Sequence, residues 1–148
     1  MRKIQACDSI KLTNSIDEIW NVLIDIPSYQ KWWPKVIDII VSNYSDKIIG
    51  TDFVVKPFGG QSFSCRIESI VPMNEINLFY YDGVYRGKGN WNIKSYNNLA
   101  TVSYSVDLII VNKFVIALSY ILPVAKIHSI VFKKIFSGLR NYLYNRHS

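Results

Sequence analysis

Residues 123–144, PVAKIHSIVFKKIFSGLRNYLY, place apolar side chains at spacings of three and four: Val124, Ile127, Val131, Ile135, Leu139 and Tyr142 form one stripe. Lys126, Lys133, Ser137, Arg140 and Tyr144 fall on the other side. The spacing predicts one long helix over Pro123 to Tyr144 with one buried face. A helix of roughly 20 residues is about 30 Å long and needs a broad apolar surface to lie on. The run of short strands read from residues 36 to 110 supplies that surface, so fold and function both turn on what lies between the helix and the sheet.

Working back to the start, residues 3–12 alternate, with Ile4, Ala6, Ile10 and Leu12 opposite Lys3, Gln5, Ser9 and Lys11, the period of a half-buried strand. Ser15 followed by Glu18 is a capping box and opens a helix whose inward stripe is Ile16, Ile19, Trp20 and Leu23. Asp25-Ile26-Pro27 ends it, because the residue before proline avoids the helical region, and Ser28 to Lys31 suits one more short turn. Ile37, Ile39 and Val41 alternate in a second strand. A third runs from Thr51 to Lys56 and is closed by the turn residues Pro57-Phe58-Gly59-Gly60. The fourth, Gln61 to Val71, sets Phe63, Cys65, Ile67 and Ser69 against Ser64, Arg66 and Glu68. The fifth covers Glu75 to Tyr81, the sixth Val84 to Lys94 and the seventh Ala100 to Ile110. Asp82-Gly83 and Asn97-Asn98 read as two-residue hairpin turns, whose central residues need positive φ, so strands five to seven form an antiparallel meander. The order strand, short helices, six strands, long helix describes an α+β layer, an antiparallel sheet with helices on one face.

At 148 residues the chain is one domain's worth. Its 49% hydrophobic and 19% charged residues are those of an ordinary globular protein, but 14% aromatic, with ten Tyr and four Trp, is rich. Such side chains bring apolar area with a polar handle, which suits a greasy cavity with a few polar groups and equally suits a dense core. The net charge of +6 favours anionic partners in general terms. The interleaved basic and aromatic clusters of nucleic-acid sites are missing, and no nucleic-acid partner is expected. Cys7 and Cys65 have no metal or redox spacing and read as two buried thiols in a reducing compartment. The first residues hold no apolar core of signal-peptide length, so a cytoplasmic location is expected. Phe114 to Ala125, FVIALSYILPVA, is too short to span a bilayer and is broken by Pro123.

The segment 15–36, SIDEIWNVLIDIPSYQKWWPKV, resembles the opening signature of the START/polyketide-cyclase (SRPBCC) superfamily: a helix with an inward Trp20, then Asp25, Tyr29 and the W-x-P-x-V entry Trp32-Trp33-Pro34-Lys35-Val36. Gly50 at the head of strand three, Gly87-x-Gly89-x-Trp91 in strand six, and His128, Phe132 and Gly138-Leu139 in the last helix agree with it. The resemblance, to a polyketide cyclase/dehydrase-like member, spans nearly the whole chain. It implies the helix-grip fold over residues 1–148 as a single START-like domain: a curved seven-stranded antiparallel sheet wrapped around the C-terminal helix, with two short helices between strands one and two. It also implies a hydrophobic ligand cavity between helix and sheet.

If the apolar face of each strand is concave, the candidate cavity residues are Phe53, Phe63, Cys65, Ile67, Leu78, Tyr80, Tyr85, Trp91, Tyr104 and Val106 from the sheet. Ile127, His128, Val131 and Ile135 join them from the helix. Gly87 and Gly89 share the inward register, either to bend the sheet or to leave room for the helix backbone or a ligand. His128, on the stripe, is either a core histidine bonded to a hydroxyl or the one candidate for acid–base work on a polar ligand group. Trp32 and Trp33 are either a lid or packing. FVIALSYILPVA either covers the end of the sheet or docks transiently on an anionic membrane through apolar burial plus its flanking lysines.

No nucleophile elbow, phosphate loop or metal-ligand cluster occurs, and with only His128 and His147 in the chain neither a metal nor another cofactor is expected. Apolar walls with a few hydroxyls fit a binding protein for a hydrophobic small molecule such as a lipid, isoprenoid or polyketide-like compound. A cyclase or aromatase using His128 and cavity tyrosines, and an interaction module with a filled cavity, are the alternatives. The residues leave the oligomeric state open.

Overall fold

The computed structural model describes residues 2–57 and 60–146. The chain runs β1 (Arg2–Leu12), α1 (Ile16–Leu23), a 3₁₀ helix (Ile26–Lys31), β2 (Ile37–Asn43), β3 (Asp52–Pro57), β4 (Phe63–Val71), β5 (Glu75–Gly83), β6 (Tyr85–Tyr96), β7 (Leu99–Ile110), α2 (Lys113–Ser119) and α3 (Val124–Asn145). The strands form one antiparallel sheet in the order β1-β7-β6-β5-β4-β3-β2. Six strands, β2 to β7, follow one another as a meander, and β1 closes the other side by pairing along its whole length with β7, from Arg2↔Ile110 to Leu12↔Ala100. The Phe58-Gly59 part of the expected turn, and His147, lie outside the described residues.

Local chemistry explains most element boundaries. Ser15 caps α1, its hydroxyl accepting from the Glu18 amide at 3.2 Å, and Ile19, Trp20, Val22 and Leu23 are buried while Ile16 is half-buried. Asn97 and Asn98 adopt φ of 50° and 63°, and the ladder closes directly across them at Tyr96↔Leu99, the expected two-residue hairpin.

Asp82-Gly83 does not form the other expected hairpin. The β5–β6 ladder stops at Tyr80↔Gly87, while β5 bulges past Tyr81 and continues along β4 to Gly83↔Phe63. Of the pair only Gly83 has positive φ, at 86°, where a Cβ would overlap the Ser62 carbonyl. Close pairing with β4, rather than a tight turn, is what requires glycine there. A second bulge follows Ile67, whose partner is Leu78 while Ser69 faces Asn77. The extra residue shifts the alternation, so Ser69, read from sequence as inward, is exposed, and Ile70 packs on the core instead. Arg66, on the outer face, pairs with Asp52 at 2.8 Å. Cys7, expected to be buried, is exposed on β1 opposite Ser105, because its place in the alternation is the outer one, and only Cys65 is buried.

Helix α3 is rotated from its sequence stripe. The buried side chains are Phe132, Ile135, Phe136, Leu139 and Leu143, whereas Ile127 is 40% exposed and Val124, Val131 and Tyr142 are half-buried. Spacings of three and four fit two overlapping stripes on this helix, and the choice falls to the contacts of its second half. There α3 lies so close to the Trp32 backbone that a Cβ at Gly138 would overlap the Trp32 carbonyl oxygen. The first half of α3 stands over a gap in the core. FVIALSYILPVA, for which the sequence predicted no helix of its own, contains the extra helix α2, opened by the Asn112 side chain accepting from the Val115 amide at 3.0 Å.

Candidate functional site

The gap beneath the first half of α3 is a cavity of about 220 Å³. Alternation along the strands points every second side chain at it. Phe53 and Val55 of β3, Phe63 and Cys65 of β4, Leu78 and Tyr80 of β5, Tyr85 and Trp91 of β6 and Tyr104 and Leu108 of β7 make the floor. Val124, Ile127, His128, Val131, Phe132 and Ile135 of α3 make the roof. Twelve of the fourteen residues expected from sequence stand on this wall. Ile67 and Val106 do not: both point inward and are buried, but they sit in the solid part of the core.

Sequence reasoning missed Ile4, Tyr29, Trp33, Ile37 and Pro57 on the wall, and Phe132 on the roof. Tyr29 and Trp33 come from the 3₁₀ helix and the turn after it, which carry no periodic signal. Tyr29 is held by its hydroxyl donating to the Leu23 carbonyl at 2.5 Å and by Trp33 stacked on it at 5.6 Å. Neither tryptophan is an exposed lid. Trp33 is wall, and Trp32 is packing between Trp91 and α3. Phe132 was hidden by the wrong helix rotation; its ring is stacked between Tyr104 at 4.5 Å and His128 at 4.7 Å.

The polar groups are few and neutral. Tyr80 and Tyr104 hydroxyls share a hydrogen bond of 2.5 Å. Gly89 makes it possible, because a Cβ there would overlap the Tyr104 hydroxyl and crowd the Tyr80 ring. That settles one of the two inward glycines: Gly89 leaves room for tyrosines, not for helix or ligand. Gly87 serves the sheet, with φ of 143° and the Asp107 backbone where a side chain would be. Burial pushes both phenols up, each reinforced by a buried neighbour, Tyr104 for Tyr80 and Cys65 for Tyr104. Burial likewise raises Tyr29, Tyr85 and the Cys65 thiol. Neutral pH therefore leaves them all protonated. Among the described residues no Asp, Glu, Lys or Arg lines the cavity.

His128 has its pKa lowered, by burial first, with the Asp8 carboxylate pulling weakly the other way. Its Nδ1 is buried without a hydrogen-bond partner among the described residues, so the core-histidine reading, which needs such a bond, is not what the geometry supplies at that nitrogen. Because the folded pKa lies below the unfolded value of about 6.5, the unfolded chain binds the extra proton first. Stability is therefore expected to be unaffected above that value and to fall as pH drops through it toward the folded pKa. A His128→Asn protein should lose this part of the acid slope in urea unfolding. An unchanged slope would mean that His128 is as free to protonate folded as unfolded.

Among the described residues no group of three or more His, Cys, Asp or Glu side chains could hold a metal ion.

No family model and no curated protein sequence matches the chain. Solved structures do. A START superfamily protein from Mycobacterium smegmatis matches with a TM-score of 0.74 at 10% identity, over 95% of this chain and 97% of that one. A protein from Thermus thermophilus matches at 0.79 and 13%, over 97% and 99%. A point mutant of norcoclaurine synthase from Thalictrum, in complex with a transition-state analogue, matches at 0.69 and 11%, over 99% and 98%. At such identities the likeness shows the fold: the chain has the helix-grip architecture of START superfamily proteins, a seven-stranded antiparallel sheet around a long C-terminal helix.

Proposed function

We propose that the protein, a single START-like domain acting in the cytoplasm, binds an uncharged hydrophobic small molecule carrying one polar group. The supporting observation is the cavity: apolar walls, no ionised side chain and a buried imidazole nitrogen with no partner among the described residues. Burying a charge there would be expensive, whereas an apolar body is favoured by about 25 cal/mol per Å² removed from water. A ligand hydroxyl donating to His128 Nδ1 would satisfy that nitrogen. The volume is below the roughly 300–1,000 Å³ of drug-sized sites, so the ligand is ring-sized, or longer with its tail leaving by the mouth. A lipid, isoprenoid or polyketide-like compound fits this description. The same cavity argues against the interaction-module reading, which needs it filled by side chains.

Native mass spectrometry of protein purified from its own host is expected to reveal a co-purifying neutral compound released intact. His128→Phe, which removes the acceptor and fills space, should abolish its retention. Protein that is bare and also takes up no hydrophobic fluorescent probe would overturn the reading.

The neutral imidazole, whose Nδ1 has no hydrogen-bond partner among the described residues, also suits a general base, which keeps a cyclase-type enzyme as the second reading. It is favoured if the compound is converted during incubation and His128→Ala stops conversion while the far-UV spectrum is kept.

A further inference from the structure

We propose that the α2–α3 elbow and the outer face of the first half of α3 form a docking surface for an anionic lipid bilayer. Three observations converge. The first is charge. Residues 1–107 hold eleven basic and eleven acidic side chains, whereas residues 108–148 hold six basic ones and no Asp or Glu. The whole net charge of +6 therefore belongs to the segment that begins at the end of β7.

The second is an apolar projection within that segment. The axes of α2 and α3 meet at 95°, and at the elbow Tyr120, Ile121 and Leu122 are 72%, 80% and 45% exposed, with Phe114 of α2 at 65%. This is not a frayed end. Val115 and Ile116 pack α2 on the core, Ser119 is buried with its hydroxyl donating to the Ile116 carbonyl at 2.6 Å, and the Arg2 guanidinium lies 4.5 Å over the Tyr120 ring. Contiguous exposed apolar side chains on an anchored element mark an interaction site. On α3 the same character continues: exposed Ile130 is four residues from Lys126 and Lys134 and three from Lys133, all on one face.

The third is position. The incompletely buried cavity residues Val124, Ile127, His128 and Val131 lie on the same turns of α3 as Lys126 and Ile130, so the docking surface borders the part of the cavity roof that is not fully buried. Docking itself does not depend on the cavity being occupied.

The charge selects the occupant. Two copies meeting through this face would bring together two net-positive surfaces, the acidic neighbour of this part of α3 being Asp8, which accepts from the Ser129 hydroxyl at 3.1 Å, and a nucleic acid has no use for Ile121 and Leu122. An anionic bilayer matches both properties, with lysines at the headgroups and aliphatic side chains below them. Among the described residues no single helix is long and apolar enough to cross a membrane, and α2 and α3, which reach that length and composition only together, are bent by 95°.

Co-sedimentation with mixed phosphatidylglycerol–phosphatidylcholine vesicles tests this against pure phosphatidylcholine. Partitioning is expected on the anionic vesicles alone and to weaken with added salt. Lys126→Ala/Lys133→Ala should lower it roughly 30-fold, about fivefold per charge, and Ile121→Asp should abolish it. None of these residues lines the cavity, so probe uptake and thermal unfolding should stay as in the parent and exclude misfolding. Equal partitioning on both vesicles, no partitioning, or retention in the variants would overturn the proposal. So would self-association abolished by Ile121→Asp, which would assign the face to a second copy.

Discussion

Trp91→Ala is expected to remove about 4 kcal/mol of stability, a large part of the 5–15 kcal/mol a domain possesses. Trp91 is 2% exposed and stands where β6 faces α3, with its ring 4.8 Å from Tyr104, 6.1 Å from Phe132, 6.2 Å from Phe136 and 6.4 Å from Trp32. Truncating a buried tryptophan costs roughly 3–5 kcal/mol when the site cannot collapse. Collapse here is opposed by the cavity alongside, whose wall Trp91 shares. Edge-to-face aromatic pairs add about 0.5–1.5 kcal/mol each. Urea unfolding followed by far-UV circular dichroism should show a much lower midpoint, with Trp91→Phe losing less than half as much. A loss under about 1 kcal/mol would mean that the indole does not hold helix and sheet together.

Gly138→Ala tests the other attachment of α3, and two effects compete over its sign. Alanine favours an interior helix position by about 1 kcal/mol over glycine. Here, however, the new methyl would overlap a backbone oxygen, that of Trp32, which has no rotamer with which to withdraw. Overpacking costs about 1–3 kcal/mol and more against a rigid neighbour. The expected net result is a loss of about 2 kcal/mol, a fall in Tm of roughly 5–8 °C for a chain of this size. An equal or higher Tm would show that the helix can shift away from the 3₁₀ segment at no cost. Because the same helix roofs the cavity, probe uptake should change along with Tm.

The contrast between these two positions and the hairpins shows which features were legible. Asn97-Asn98 could be read because its requirement, two residues at positive φ, is local. Ser15 and Glu18 marked the start of α1 for the same reason. Strand alternation was enough to point Phe53, Cys65, Leu78, Tyr80, Trp91 and Tyr104 inward, since every second side chain faces one way whatever packs on it. It failed at Ser69, where a bulge adds a residue that no local preference announces. Asp82-Gly83 misled for a related reason: its glycine answers to the neighbouring strand β4, which it meets at Ser62 and Phe63.

The amino-acid sequence by itself determined the order and kind of the elements, the antiparallel meander, the direction of most strand side chains and the gathering of all net charge into the last 41 residues. These depend on period, turn chemistry and composition, which act over a few residues or none. Only the tertiary structure decided the rotation of α3, the difference between cavity wall and solid core for Ile67 and Val106, the burial of His128 Nδ1 with no partner among the described residues and the exposure of Tyr120-Ile121-Leu122. Each of those depends on where two surfaces distant in sequence stop approaching one another. Gly138 against Trp32 sets that limit at one end of α3, and the aromatic stack of Tyr104, Phe132 and His128 sets it beside the cavity.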